Sequence, residues 1–259
     1  MKQLRRIRKY IQHFFTAQHT YGFRIHSPYI FNFTKYVIYE KNPYYIFSAI
    51  EKRREKLISD KRIIQVEDFG TGKSGKKKVS DIAKKSLKSA KYSQLLFRIA
   101  KEIQAQSVLE LGTSLGITTA YLASANSNSK CVTMEGSTEI AKIASETFRC
   151  LNISNTEIIV GDINRNLSSA IDRLDKLDIV FIDANHTSKA VLSYFEQCLK
   201  KAHDNTILIV DDIYWSEDME YAWETIKENK QVTATIDLFQ LGIVFFNKEL
   251  HKKHYKMLL

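Results

Sequence analysis

Between residues 92 and 247 the apolar positions alternate between short continuous bursts and longer stretches where they recur every three or four residues. The bursts are SVLEL (107–111), KCVTME (130–135), TEIIV (156–160), LDIVFID (177–183) and TILIVDD (206–212). Runs of this length, rich in Val, Ile and Leu, predict strands buried on both faces. Between them lie ITTAYLASA (117–125), TEIAKIASETFRC (138–150) and SKAVLSYFEQCLKKA (188–202), which are compatible with helices. Strand and helix in turn mean βαβ units and a parallel sheet covered on both sides. VTATIDLF (232–239) and LGIVFFN (241–247) follow with only Gln240 between them, a link that permits only an antiparallel pair. The plan is five parallel strands and a closing hairpin, with no internal repeat.

The first ninety residues read differently. They show helical patches, clustered aromatics (YGFRIHSPYIFNF, 21–33) and two prolines, Pro28 and Pro43, each marking a turn or helix start. Residues 1–91 hold 22 Lys+Arg against 7 Asp+Glu, while the remainder holds 17 against 22. That asymmetry predicts segments with different tasks. The expected boundaries are a basic, aromatic-rich helical segment over 1–68, a flexible basic loop and lid over 69–91, and the main domain over 92–259. His26, set among the aromatics, reads as structural.

Three widely spaced cysteines with no CxxC pair argue against a disulfide scaffold or zinc site and for a reducing compartment. No apolar run approaches the roughly 20 residues of a membrane span. The N-terminus is basic but lacks the long apolar core and cleavage site of a secretory signal. A cytoplasmic location is the expectation.

FGTGKSGKKK (69–78) ends like a phosphate-binding P-loop. Such a loop needs a glycine with four residues between it and Gly72, and Glu67 stands there instead. The backbone cage for phosphates is missing, and a basic loop is the reading that fits.

The stronger nucleotide signal is SVLELGTSLGITTAYLA (107–123). A strand ending at Glu110 runs into a turn containing Gly112, Thr113, Ser114 and Gly116, and a helix begins at once. Glycines there let the backbone bend sharply and approach a ligand. The spacing does not fit the dinucleotide fingerprint G-x-G-x-x-G. The next strand ends in Glu135-Gly136, where an acid can accept hydrogen bonds from both ribose hydroxyls of a nucleoside. The third ends in Gly161-Asp162, on the adenine side. Each acid alone could be a solvated strand end; three at successive strand ends, each beside a glycine turn, point to a site.

These motifs carry a resemblance. Residues 90 to 247 are similar to class I S-adenosylmethionine-dependent methyltransferases, in particular the catechol and caffeoyl-CoA O-methyltransferases. ELGTSLGITTAYLA resembles their first motif, VTMEG their ribose-binding motif, and KYSQLLFRI (91–99) the helix before the first strand. The whole chain resembles a bacterial subgroup with an extra N-terminal segment and HSPYIF, DFG and DDIYW motifs. The resemblance implies an α/β, doubly wound, Rossmann-like sheet of order 3-2-1-4-5-7-6, its last strand antiparallel, with an N-terminal helical extension. It implies S-adenosyl-L-methionine as cofactor, bound by Glu110, Gly112, Thr113, Ser114, Gly116, Glu135, Gly136, Gly161, Asp162 and Asp183.

It also implies a divalent cation, Mg²⁺ or similar, on Asp183, Asp211 and Asp212, holding an acceptor hydroxyl and lowering its pKa. Asp212 stands where Asn is usual in those enzymes. His186, three residues after Asp183, replaces their lysine and becomes the candidate base; Asp183 and His186 are the candidate catalytic pair. Tyr214 and Trp215 could wall a flat acceptor.

The function implied is metal-assisted O-methylation of a small-molecule hydroxyl. Three alternatives stay open: methylation of RNA at ribose or base with the basic segment on phosphates, adenosylmethionine binding without catalysis, and contact of the basic N-terminus with an anionic membrane surface. The amine-methylating Asn/Asp-Pro-Pro-aromatic motif is absent, since its place reads Asp183-Ala184-Asn185-His186. A homodimer is also left open.

Overall fold

The computed structural model describes residues 2–67 and 74–259. They form two compact units, one joining Met1–Glu40 to Lys176–Leu259 and one continuous over Lys41–Asp175. The first unit opens with α1 (Lys2–Thr16) and α2 (Pro28–Phe33), then a π-helical turn over Thr34–Ile38. Ser27 starts α2 as its cap, its hydroxyl accepting from Ile30 N at 3.4 Å, with Pro28 in the first turn where no amide hydrogen is needed.

The continuous unit holds α3 (Tyr45–Ser59), β1 (Ile63–Val66), β2 (Gly75–Lys78), α4 (Val79–Ser86), α5 (Ala90–Glu102), β3 (Ser107–Leu111), α6 (Ile117–Ser124), β4 (Lys130–Glu135), α7 (Thr138–Cys150), β5 (Thr156–Val160) and α8 (Ile163–Asp172). Strands β3, β4 and β5 pair in parallel in that order. All five residues of β3 are buried, as a strand covered on both faces requires. Phe47, Leu57, Val79, Phe97, Ile117 and Tyr121 bring α3 to α6 into one apolar core.

One expectation changes in this unit. The loop foreseen over 69–91 gives way, from Gly75 on, to β2, α4 and the start of α5; β2 pairs antiparallel with β1. Three lysines in four residues give β2 no apolar rhythm, yet Val66 and Val79 at its borders are buried and fix it. Residues 69–73 of the P-loop-like stretch, and the DFG motif, lie outside the described residues.

The first unit resumes with β6 (Leu177–Ile182), α9 (Ser188–Cys198), β7 (Ala202–Asp211), α10 (Glu217–Glu228), β8 (Ala234–Asp237), β9 (Leu241–Phe245) and β10 (Lys253–Lys256). Here β6 and β7 are parallel, β9 is antiparallel to both β7 and β8, and β10 lies parallel to β8. The expected order 3-2-1-4-5-7-6 thus holds as 3-2-1 in one unit and 4-5-7-6 in the other, within a mostly parallel sheet of eight strands. The eighth, β10, was not foreseen: HKKHYK is polar, and only Tyr255 in it is buried.

That strand explains why the N-terminal segment is not one piece over 1–68. His13 Nε2 lies 2.9 Å from Met257 O, Tyr39 donates to Leu258 O at 2.5 Å, and Leu258 N donates to Thr20 Oγ1 at 3.1 Å. Residues up to Glu40 are therefore bonded to the residues around β10, and those from Lys41 on belong with the other unit. His26 is exposed, and its neighbours Ile25 and Ile30 supply the packing instead. Cys131, Cys150 and Cys198 are free thiols, and among the described residues no helix is long and apolar enough to cross a membrane.

Gly242 in β9 is the tightest point of the first unit. A Cβ there would stand 2.5 Å from the ring of Trp223, which is wholly buried. Gly242→Ala is expected to cost about 2 kcal/mol through overpacking, read as a lower urea midpoint; an unchanged midpoint would mean the indole has room to move.

Candidate functional site

In the Lys41–Asp175 unit the turn after β3 is held by the neighbouring strand. Gly112 N and Thr113 N both donate to Met134 O at 3.0 Å, and Ser114 N donates to Glu135 Oε2 at 2.9 Å. The other oxygen of Glu135 accepts from Ser137 N at 3.0 Å. One carboxylate thus ties the glycine turn to the tip of β4.

Gly116 ends the turn with φ +81° and begins α6. A side chain there would meet Phe148 at 2.9 Å and Ala144 at 3.1 Å, so glycine is required for the left-handed backbone and for the close approach of α7. Ser114 Oγ also meets Ser86 Oγ of α4 at 2.9 Å. Gly161 N donates to Glu135 O at 2.9 Å, and Gly136 stands half-buried beside that bond. Asp162 caps α8: its Oδ1 accepts from Asn164 N at 2.9 Å, a local use that competes with an adenine contact.

Glu110 departs from its expected place at the ligand. Its side chain is completely buried, and Oε2 accepts from the hydroxyls of Thr119 and Thr133. Oε1 has no hydrogen-bond partner. Burial pushes the carboxyl up to about 7, against the lowering effect of the two threonines. Thr113 joins this chain through Thr133, hydroxyl to hydroxyl at 2.6 Å. Glu110 therefore supports the turn from behind. Thr119 and Thr133, which do that work with it, carry no sequence signal beyond lying one helix turn and one strand away.

In the other unit, the tip of β6 leads through Asp183 and Ala184 to Asn185 and His186, both with positive φ (+63° and +25°). His186 Nε2 lies 3.8 Å from Asp183 Oδ1, and both side chains are partly accessible. Thr187 then caps α9. This bent tetrapeptide brings the candidate base and its acid together.

At the tip of β7 no divalent cation is shown: among the described residues no three His, Cys, Asp or Glu side chains converge as a metal-ligand set. Asp211 is buried, whereas Asp212 has φ +50° and pairs with Arg6 of α1, Nη2 to Oδ1 at 3.2 Å. The guanidinium also lies over the Trp215 ring, 5.1 Å from its centroid. Arg5 reinforces the contact through Glu220 at 2.5 Å and Glu217 at 3.4 Å, and Lys9 through Glu220. Tyr214 is not an acceptor wall either. It is buried, stacked on Phe239, and donates to Asp237 Oδ2 at 2.6 Å; burial and Asp237 push its phenol well up. Trp215 remains half exposed.

A glycine turn leaving the first strand of a mostly parallel α/β sheet, laced to an acid at the tip of the second, defines a Rossmann-like nucleoside-binding class. Residues 109–213 match the profile of a methyltransferase-domain family. The chain is 30% identical over 132 residues to a catechol O-methyltransferase of Mycobacterium tuberculosis, a stretch covering 48% of this chain and 56% of that one. It thus spans about half the length of the curated relative it matches. Among solved structures it is similar to an O-methyltransferase from Bacillus cereus in complex with SAH, at TM-score 0.57 and 18% identity over 81% of this chain and 94% of that one. It is also similar to the O-methyltransferase TomG from Streptomyces achromogenes in complex with SAM, at TM-score 0.55 and 22% identity over 62% and 82%. The chain thus shares its Rossmann-like fold with these solved methyltransferases and matches a methyltransferase-domain family over residues 109–213.

The raised pKa of Glu110 sets a pH dependence. An unfolded chain deprotonates this carboxyl near its ordinary 4.5, whereas the folded protein keeps its proton until about 7. Between those values the folded state binds more protons, so this group's contribution to stability is full below 4.5, falls as pH rises, and levels off above 7. Glu110→Gln removes the titration. The melting temperature of the variant relative to the native protein should rise from pH 5 to pH 7 and then stay flat; parallel curves would show that Glu110 ionises normally.

Proposed function

We propose that the protein is an S-adenosylmethionine-dependent methyltransferase that methylates a hydroxyl oxygen of a small-molecule acceptor. The observation that carries this is the Glu135 carboxylate at the tip of β4, bonded to the backbone of the glycine turn at Ser114. In this reading Glu135 accepts from the ribose hydroxyls, and the turn Gly112–Gly116 bends closely around the donor. Gly136 and Gly161 leave space beside the sugar and base, and Asp162 lends its remaining lone pairs to the adenine side.

When bound, the donor supplies an electrophilic methyl group on a sulfonium. The acceptor oxygen attacks that carbon in line, the carbon–sulfur bond breaks with its electron pair going to sulfur, and a neutral thioether leaves. The acceptor proton passes to a base. His186 takes it at a ring nitrogen, and Asp183, 3.8 Å away, orients the imidazole and steadies the charge it gains. The names of the relatives, all acting on oxygen where a reaction is named, favour a hydroxyl over an amine.

No step is routed through a divalent ion. The cation beside Asp212 is the Arg6 guanidinium, part of the chain itself. Arg6 has the planar fork suited to an anionic acceptor, and it sits over an exposed indole that offers a flat apolar surface.

Glu135→Ala should weaken S-adenosylhomocysteine binding at least tenfold, about 1.4 kcal/mol in a titration calorimeter; equal affinity would remove the ribose contact. His186→Ala should leave that affinity alone and lower kcat by about 10²-fold or more, in the range of general-base catalysis, and a native kcat would reassign the base. Turnover should survive an excess of chelator. Loss on chelation with recovery on adding Mg²⁺ would restore a metal to the site.

A further inference from the structure

Helix α1 is inside out. A surface helix of a globular protein normally buries its apolar stripe and turns its charges to water. Here Arg5, Arg6 and Lys9 are bonded to Glu217, Glu220 and Asp212, and His13 is buried against Met257 O. The opposite side carries Leu4 (77% exposed), Ile7 (52%), Ile11 (51%), Phe14 (53%) and Phe15 (79%). At 100° per residue these five lie within an arc of about 100°, and the inward basic residues fill the arc diametrically across. The ion pairs fix the helix in this orientation, so the apolar stripe is held out in water.

An exposed stripe of this kind marks an occupant, and the surrounding charge selects which. Residues 1–40 contain seven Lys+Arg and a single acid, Glu40; Arg5, Arg6 and Lys9 are paired inward, and Arg8 and Arg24 are exposed. Arg8 borders the stripe and is exposed, and the exposed Tyr21 and Phe23 with Arg24 follow within the next turn of chain. A second copy would bring the same cations against themselves, and a seam of about two heptads is short for a coiled coil. A bilayer bearing anionic headgroups answers both features at once, with acyl chains for the aliphatic and aromatic side chains and phosphates for the arginines.

We propose that α1 docks the protein on an anionic lipid surface, lying in the headgroup plane with Leu4, Ile7, Ile11, Phe14 and Phe15 inserted. Its basic side keeps hold of the β7 tip throughout, so the protein binds without unfolding the contact at Asp212.

The test is co-sedimentation of the full chain with vesicles of phosphatidylcholine alone or mixed with phosphatidylglycerol, alongside light scattering without lipid. Binding to the mixed vesicles only, weakened by salt and reduced about tenfold or more in Ile7→Asp/Ile11→Asp, supports the proposal. The separate pair Leu4→Ser/Phe15→Ser should act the same way, and both pairs should keep the native melting temperature because the side chains replaced are exposed. No binding to the mixed vesicles, or equal binding by both pairs, overturns it. So does a lipid-free dimer that either pair converts to a monomer, since a second copy would then cover the stripe.

Discussion

The bend after β3 depends on what its backbone amides are given. Met134 O takes two of them and the Glu135 carboxylate takes the next, so three consecutive N–H groups are satisfied by the tip of one neighbouring strand. Unmet, each would cost on the order of 1–3 kcal/mol. Gly116 then lets α7 come close enough to close the turn, with no room for a Cβ. The residues proposed to bind the donor in this unit hang from that lacing, and Glu110, buried behind it with two threonines, keeps strand and helix in register.

The sheet and the turn were legible because their physics is periodic. β3, β4 and β5 have the bounds that their apolar runs predict, and the link at Gln240 gave the antiparallel pair. What escaped was built from charge. β2 is three lysines after a glycine, and β10 is KHYK; both are strands because of what they pair with, a tertiary fact that a hydrophobic rhythm does not contain.

The site divides in the same way. Glu135, the glycines and the Asp183-His186 spacing could be found from strand ends and motifs. The fate of Asp212 could not, because its partner Arg6 lies 206 residues earlier. A cluster of acids reads as a cation site in any sequence; only the fold shows that a side-chain cation, the Arg6 guanidinium, pairs with Asp212. Tyr214 was misplaced for a related reason, since Asp237, which buries and engages its hydroxyl, comes from a strand that the motif does not include.

The two units also differ in how the chain passes through them. Lys41–Asp175 is uninterrupted, so every contact within it becomes available as soon as that stretch has left the ribosome. The other unit joins residues near 13, 20 and 39 to residues 257 and 258. During synthesis the arginines of α1 therefore wait for the tip of β7 and for α10 before they are paired, and His13 waits longer still, for Met257. Closing so long a loop is slow.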